Sequence, residues 1–174
     1  MNLYQLMLES KPASSWDNIF LLEATLWSRR SHDVQTQCGC VLVKNKTNIS
    51  SGYNGFIRDI DDDTLPKVRP AKYPFMIHAE ANAVYNATRN GQSTLNSTAY
   101  ITAVPCLQCL QMLYQCGVTK IYFSDISNPK IVSLSKDYED ILELMGDKIE
   151  LRFIPKTSLD TEFLLEYVEK ITKM

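Results

Sequence analysis

Apolar and polar positions along the 174-residue chain alternate between two periods. From Trp16 to about Ser31, the residues Trp16, Ile19, Phe20, Leu22, Leu26 and Trp27 recur at helical spacing and predict a helix. "CGCVLV" (38–43) and "NISSGY" (48–53) read as two strands joined by the polar turn "KNKT". The pattern then breaks from Asn54 to Pro74, where Gly55, the acidic run "DIDDD" and Pro66, Pro70 and Pro74 predict a long loop. Loops of this length in a compact domain usually carry function or move. "HAEANAVYNATRN" predicts a helix closed by Gly91, "TAYITAV" a strand, and "CLQCLQMLYQC" a helix ending at Gly117. "KIYFSD" is a strand, "YEDILELMG" a helix, "IELRFI" a strand, and "DTEFLLEYVEKITK" a closing amphipathic helix. There is no internal repeat or linker. The alternation predicts one α/β domain over residues 1–174, an α/β/α sandwich whose mixed sheet of about five strands carries helices on both faces.

Composition narrows the classes. Apolar residues make up 45% of the chain, an ordinary globular share. The N-terminal "MNLYQLMLESKPASSW" has neither a basic nor a continuous apolar region of the secretory kind. No stretch reaches the roughly 20 apolar residues of a membrane helix, and "IFLLEATLWS" is broken by Glu23. The expectation is a soluble, cytoplasmic protein with no membrane partner. Net charge is −2, with Lys+Arg 18 against Asp+Glu 20. Stable nucleic-acid binders carry a basic excess that releases counterions. This balance argues against one, while a local basic pocket would suit a single phosphorylated ligand.

Five cysteines, Cys38, Cys40, Cys106, Cys109 and Cys116, are an odd count in a chain read as intracellular, which favours metal or catalytic use over disulfides. Cys106 and Cys109 stand at a predicted helix start behind Pro105, where the helix N-terminus favours thiolates. His78, one of two histidines, lies two residues before Glu80 at another predicted loop-to-helix junction. On a regular helix such a pair points about 200° apart, so the two share a pocket only near the first turn. One nitrogen and two thiolates suit zinc, and three protein ligands leave a position for water. A closed structural site would need Cys116 as well. Cys109 and Cys116 lie about 10.5 Å apart along a continuous helix, too far for two sulfurs on one ion. Cys116 is therefore read as core, and Glu80 as the base that takes a proton from zinc-bound water. His-x-Glu followed by Pro-Cys-x-x-Cys is the signature of zinc nucleobase deaminases.

With these residues in order, the chain resembles the deoxycytidylate (dCMP) deaminase branch of the cytidine deaminase superfamily. The likeness spans roughly residues 15 to 155 and rests on "RRSHD", "CGCVLV", "GYNG" (52–55), "DDTLP", "KYPFMIHAEANAV", "VPCLQC" and "IYFSDI". It implies a cytidine deaminase-like fold and hydrolysis of dCMP to dUMP and ammonia, which supplies the thymidylate precursor. It further implies catalytic zinc on His78, Cys106 and Cys109, with Glu80 moving protons. A hexamer activated by dCTP and inhibited by dTTP, with Mg2+, is also implied. Asn54, Ala79, Arg30 and Pro105 correspond to substrate-binding positions, and Gly52, Tyr53, Asn54 and Gly55 to the effector segment. Asn54 thus has two implied roles. Read from the residues alone, the glycines around Tyr53–Asn54 let a backbone approach a ligand, or form an ordinary turn.

Arg29, Arg30 and His32 either receive a 5′-phosphate or end a solvated helix. Asp61, Asp62 and Asp63 either hold the magnesium of a triphosphate or are a solvated loop. Cys38 and Cys40 read as small buried apolar residues. Three departures from the family pattern stand out. The segment from Gly55 to Ile77 holds no Cys or His, against a second zinc. "CGC" replaces the usual "VGA". Ile126-Ser127 follow "SD" where a tyrosine is common, so Tyr122 or Tyr138 must supply its contact or it is missing. The rival readings are a deaminase of cytidine, dCTP or polynucleotide, a non-catalytic nucleotide sensor, and a zinc-stapled interaction domain.

Overall fold

The structure, a computed structural model, describes residues 15–125 and 136–159, together with Thr161, Glu162, Glu169 and Thr172. The helix expected over 160–173 and the Ile126-Ser127 departure lie outside the fully described segments. Helix α1 (Ser15–Ser28) leads into β1 (Gly39–Lys44) and β2 (Thr47–Tyr53). Then follow α2 (Ala79–Arg89), β3 (Thr98–Ile101), α3 (Leu107–Gln115), β4 (Lys120–Phe123), α4 (Lys136–Met145) and β5 (Glu150–Phe153).

The five strands form one mixed sheet in the order β2-β1-β3-β4-β5. β1 is antiparallel to both β2 and β3, whereas β3, β4 and β5 run parallel through crossover helices α3 and α4. Asn45 and Lys46, at φ 52° and 59°, make the tight turn between β1 and β2, the left-handed pair that such a hairpin requires.

β1 is buried on both faces, and its period of two sorts its side chains. Cys40 and Leu42 join Ala83, Ala87, Leu110, Leu113, Phe123 and Leu142 in the core under α2, α3 and α4. Val41 and Val43 join Phe20, Leu21, Ala24, Tyr100, Tyr122 and Ile154 under α1. Helices thus cover both faces. Of the expected α1 stripe, Phe20 and Leu22 are buried, while Trp16, Ile19, Leu26 and Trp27 are exposed; Asp17, Leu21, Ala24 and Ser28 face inward beside the first two. The buried set keeps i, i+3, i+4 spacing only when a polar residue is admitted. Asp17 belongs there because Tyr100 Oη donates to it at 2.9 Å and Arg152 pairs with it at 3.2 Å.

The segment from Gly55 to Ile77 is closed at its base by a two-residue antiparallel bridge, with the Gly55 and Ile77 N–H groups donating to each other's carbonyls at 3.0 and 2.7 Å. Side chains then fix α2 to β2. Asn82 Nδ2 donates to the Tyr53 carbonyl, Asn86 Nδ2 to that of Ser51, and Ser50 Oγ to that of Ala83, at 2.8, 2.8 and 2.6 Å. Gly52 makes this approach possible. A Cβ there would lie 2.3 Å from both Ala79 O and Ala83 N, which are backbone atoms that cannot swing aside. Gly52→Ala is expected to cost at least about 1–3 kcal/mol, the scale of overpacking. Urea unfolding would show it, and an unchanged midpoint would mean that α2 can lift from the sheet freely.

Candidate active site

His78 and Cys106 occupy matching places, the N-caps of α2 and α3, both with extended backbones (φ −67°, ψ 155° and φ −68°, ψ 164°). Neither side chain bonds its own helix's N–H groups, so both remain available as ligands. Cys109 sits within the first turn of α3. His78 Nδ1 lies 3.5 Å from Cys106 Sγ and 3.5 Å from Cys109 Sγ. All three donor atoms lie within 4.8 Å of one another. Tetrahedral zinc, with bonds of 2.0–2.3 Å, sets a nitrogen–sulfur separation of about 3.6 Å. The donor types and their spacing therefore fit zinc. Cys116, the C-cap of α3, packs on the core beneath α2 and α3 instead, leaving a three-donor set among the described residues.

The local charges suit that ion. The Cys109 thiol, then His78, hold the Cys106 thiol well below its ordinary range, against burial. The same sulfur contact, with burial, pushes Cys109 up. A cation held by both sulfurs requires them as thiolates, so its binding releases protons. His78 is raised, chiefly by its contact with Cys106. Glu80, in the first turn of α2 and 6% exposed, is raised by burial, with its own backbone N–H and His78 acting against that. Such a shift moves a carboxylate towards the working range of a general acid–base group.

His78, Ala79, Glu80 and Cys106 line a cleft of about 570 Å³ together with Asn54. The cleft lies beyond the carboxyl ends of the parallel strands, where open α/β sheets bind ligands. Ile101–Val104 follow β3 into its wall, and Asp125 and Lys156 enter after β4 and β5. Pro105 is fully buried behind Cys106, and its carbonyl accepts the Tyr138 hydroxyl at 3.1 Å. Tyr122 instead bonds Glu150.

Asn54 is held from every side. Its Oδ1 accepts the Cys38 N–H at 2.7 Å, its Nδ2 donates to the Thr36 carbonyl at 2.8 Å and to Asp33 Oδ2 at 3.3 Å, and its carbonyl accepts Ser31 Oγ at 2.6 Å. Asp33 also accepts the N–H groups of Gln35 and Thr36 and pairs with Lys72, the two side chains 3% and 2% exposed. Sequence reasoning did not single out Asp33, Lys72, Arg69 or Lys156, although all four line the cleft. Arg30 is exposed and lies outside the cleft lining, and Arg29 bonds Gln37.

Gly52 is buried beneath α2, and Gly55 forms the loop bridge. Tyr53 lines a second cavity of about 370 Å³ with His32, Arg58, Asp62 and Arg89. The acidic run has local tasks: Asp61 caps the short 3-10 turn 62–64, Asp62 lies 2.9 Å from His32 Nε2, and Asp63 pairs with Lys67. Cys38 lines the active-site cleft rather than being wholly buried, and desolvation followed by Glu80 pushes its thiol up to about 11. Cys40 is fully buried.

The chain is similar to known proteins over most of its length. It is 38% identical over 135 residues to the probable deoxycytidylate deaminase of Caenorhabditis elegans, covering 75% of this chain and 68% of that protein. It is 33% identical over 158 residues to the human deoxycytidylate deaminase, covering 82% of each. The dCMP deaminase of cyanophage S-TIM5 in apo form superposes with a TM-score of 0.64 at 25% identity, covering 82% of this chain and 99% of that one. The same phage enzyme in complex with dCMP and dUMP gives 0.68 at 24%, over 83% and 100%. Residues 14–125, which carry all three ligands and Glu80, match the cytidine and deoxycytidylate deaminase zinc-binding region. The protein is a member of the cytidine and deoxycytidylate deaminase family.

Proposed function

We propose that the protein hydrolyses dCMP to dUMP and ammonia. The observation that carries this reading is that His78 and Cys106 of the His78–Cys106–Cys109 cluster open, with the buried Glu80, onto one cleft. The names of the nematode, human and phage relatives support dCMP as the substrate. Zinc on the three donors supplies a water acidic enough to act near neutral pH. Glu80 accepts a proton, delivers it to the ring nitrogen, and returns the next to the departing amine. Asn54, its side-chain amide fixed by three hydrogen bonds that use both Nδ2 hydrogens, keeps one Oδ1 lone pair for a hydroxyl of the nucleotide sugar.

The same reading includes control by dCTP as activator and dTTP as inhibitor, with Mg2+. The second cavity supports it, since Arg58 and Arg89 offer cations to a triphosphate and Asp62 a carboxylate to its metal. A cytoplasmic homohexamer built of single-domain subunits completes the proposal. The test is turnover of dCMP by zinc-loaded protein, followed by ultraviolet absorbance with and without dCTP and Mg2+. Turnover indifferent to dCTP removes the control and keeps the enzyme. No dCMP turnover in either condition overturns the substrate and leaves cytidine, dCTP or single-stranded DNA to be tried.

A further inference from the structure

Within the dCMP reading, the cleft must also hold a phosphate, and its charges are unevenly spent. Three cations line it: Arg69, Lys72 and Lys156. Lys72 is buried against Asp33, and Lys156 pairs with Asp125. Arg69, among the described residues, has no carboxylate partner, and its guanidinium bonds only the Thr36 hydroxyl. Its backbone N–H donates to Gln35 Oε1 at 2.8 Å. These two bonds anchor Arg69 to the 31–37 turn, the turn whose Asp33 and Thr36 also hold Asn54. The exposed guanidinium thus keeps most of its five N–H donors, in a fork that matches a phosphate bidentately.

We propose that Arg69, braced by Thr36 and Gln35, binds the 5′-phosphate and sets the preference for a nucleotide over a nucleoside. Arg29 and Arg30 are not among the residues that line the cleft. The long loop thereby carries a specificity determinant, on the side of the cleft where Asn54 and Thr36 meet.

The test compares dCMP with deoxycytidine in turnover, and dUMP with deoxyuridine in calorimetric binding, for the wild-type protein and Arg69→Gln. The expected result is a dCMP KM raised about 10–100-fold, the scale of a lost charge-assisted hydrogen bond. kcat should stay within about two-fold and deoxycytidine turnover should be unchanged, a pattern that general loosening of the fold would not give. Arg69→Lys should recover part of the preference, because it keeps the charge and loses the fork. An Arg69→Gln protein that still prefers dCMP and dUMP as strongly as the wild type overturns the proposal. So does a wild-type protein that binds dUMP no tighter than deoxyuridine. Phosphate-dependent binding that Arg69→Gln abolishes, in a protein that never turns over dCMP, sustains the subsite and sinks the deaminase reading alone.

Discussion

Glu80→Gln is expected to lower kcat for dCMP by about 10²–10⁴-fold, the span attributed to a positioned general acid–base group. The substitution keeps the volume of the side chain and one acceptor oxygen. It removes the capacity to accept a proton and hand it on. Because Glu80 is not one of the three clustered donors, zinc content should remain at the wild-type level. Binding of dUMP should also persist, as the cleft walls around Asn54 are untouched. Metal analysis, calorimetry and steady-state rates on one preparation separate these effects. A fall in kcat below about ten-fold with full zinc loading would remove Glu80 from the proton path.

The second large effect concerns stability. Lys72→Met is expected to destabilise the fold by about 3–5 kcal/mol, the cost of leaving one charge of a buried pair uncompensated. Asp33 has nowhere to turn: Asn54 and the N–H groups of Gln35 and Thr36 already surround it, and none carries charge. The double variant Asp33→Asn with Lys72→Met should lose much less than the sum of the single changes. Asn keeps an Oδ1 acceptor for the two N–H groups and drops the stranded charge. Urea unfolding of the four proteins closes the cycle. Additive losses would mean that the two residues act independently despite their contact.

The His78–Cys106–Cys109 cluster is legible in the sequence because each part is local. The geometric demand that His78 and Glu80 meet only near a helix start is satisfied by the N-cap position of His78. Cys106 and Cys109 need only one helical turn between them. Strand identities were legible for the same reason, with ends displaced where the chain turns into the cleft. "TAYITAV" stops as a strand at Ile101, and Thr102–Val104 become wall. The Asp33–Lys72 pair was not legible, since its partners lie 39 residues apart and one sits in a proline-rich stretch without periodicity. Arg69 was hidden likewise, its braces coming from Gln35 and Thr36. The inward face of α1 is legible at Phe20 and Leu22 but not throughout, because Asp17 takes a core position that an apolar count assigns to Trp16 or Ile19.

The bridge between Gly55 and Ile77 works as a drawstring. It sets the spacing of Asn54 and His78, which flank it in sequence, with the rest of the loop gathered beyond the knot. The knot does not act alone, because Lys72, within the gathered chain, is buried against the Asp33 that holds Asn54. The loop is thus stitched twice, by a pair of backbone hydrogen bonds at its base and by a buried ion pair further along. A change in its length leaves the spacing of Asn54 and His78 intact only where both stitches are spared.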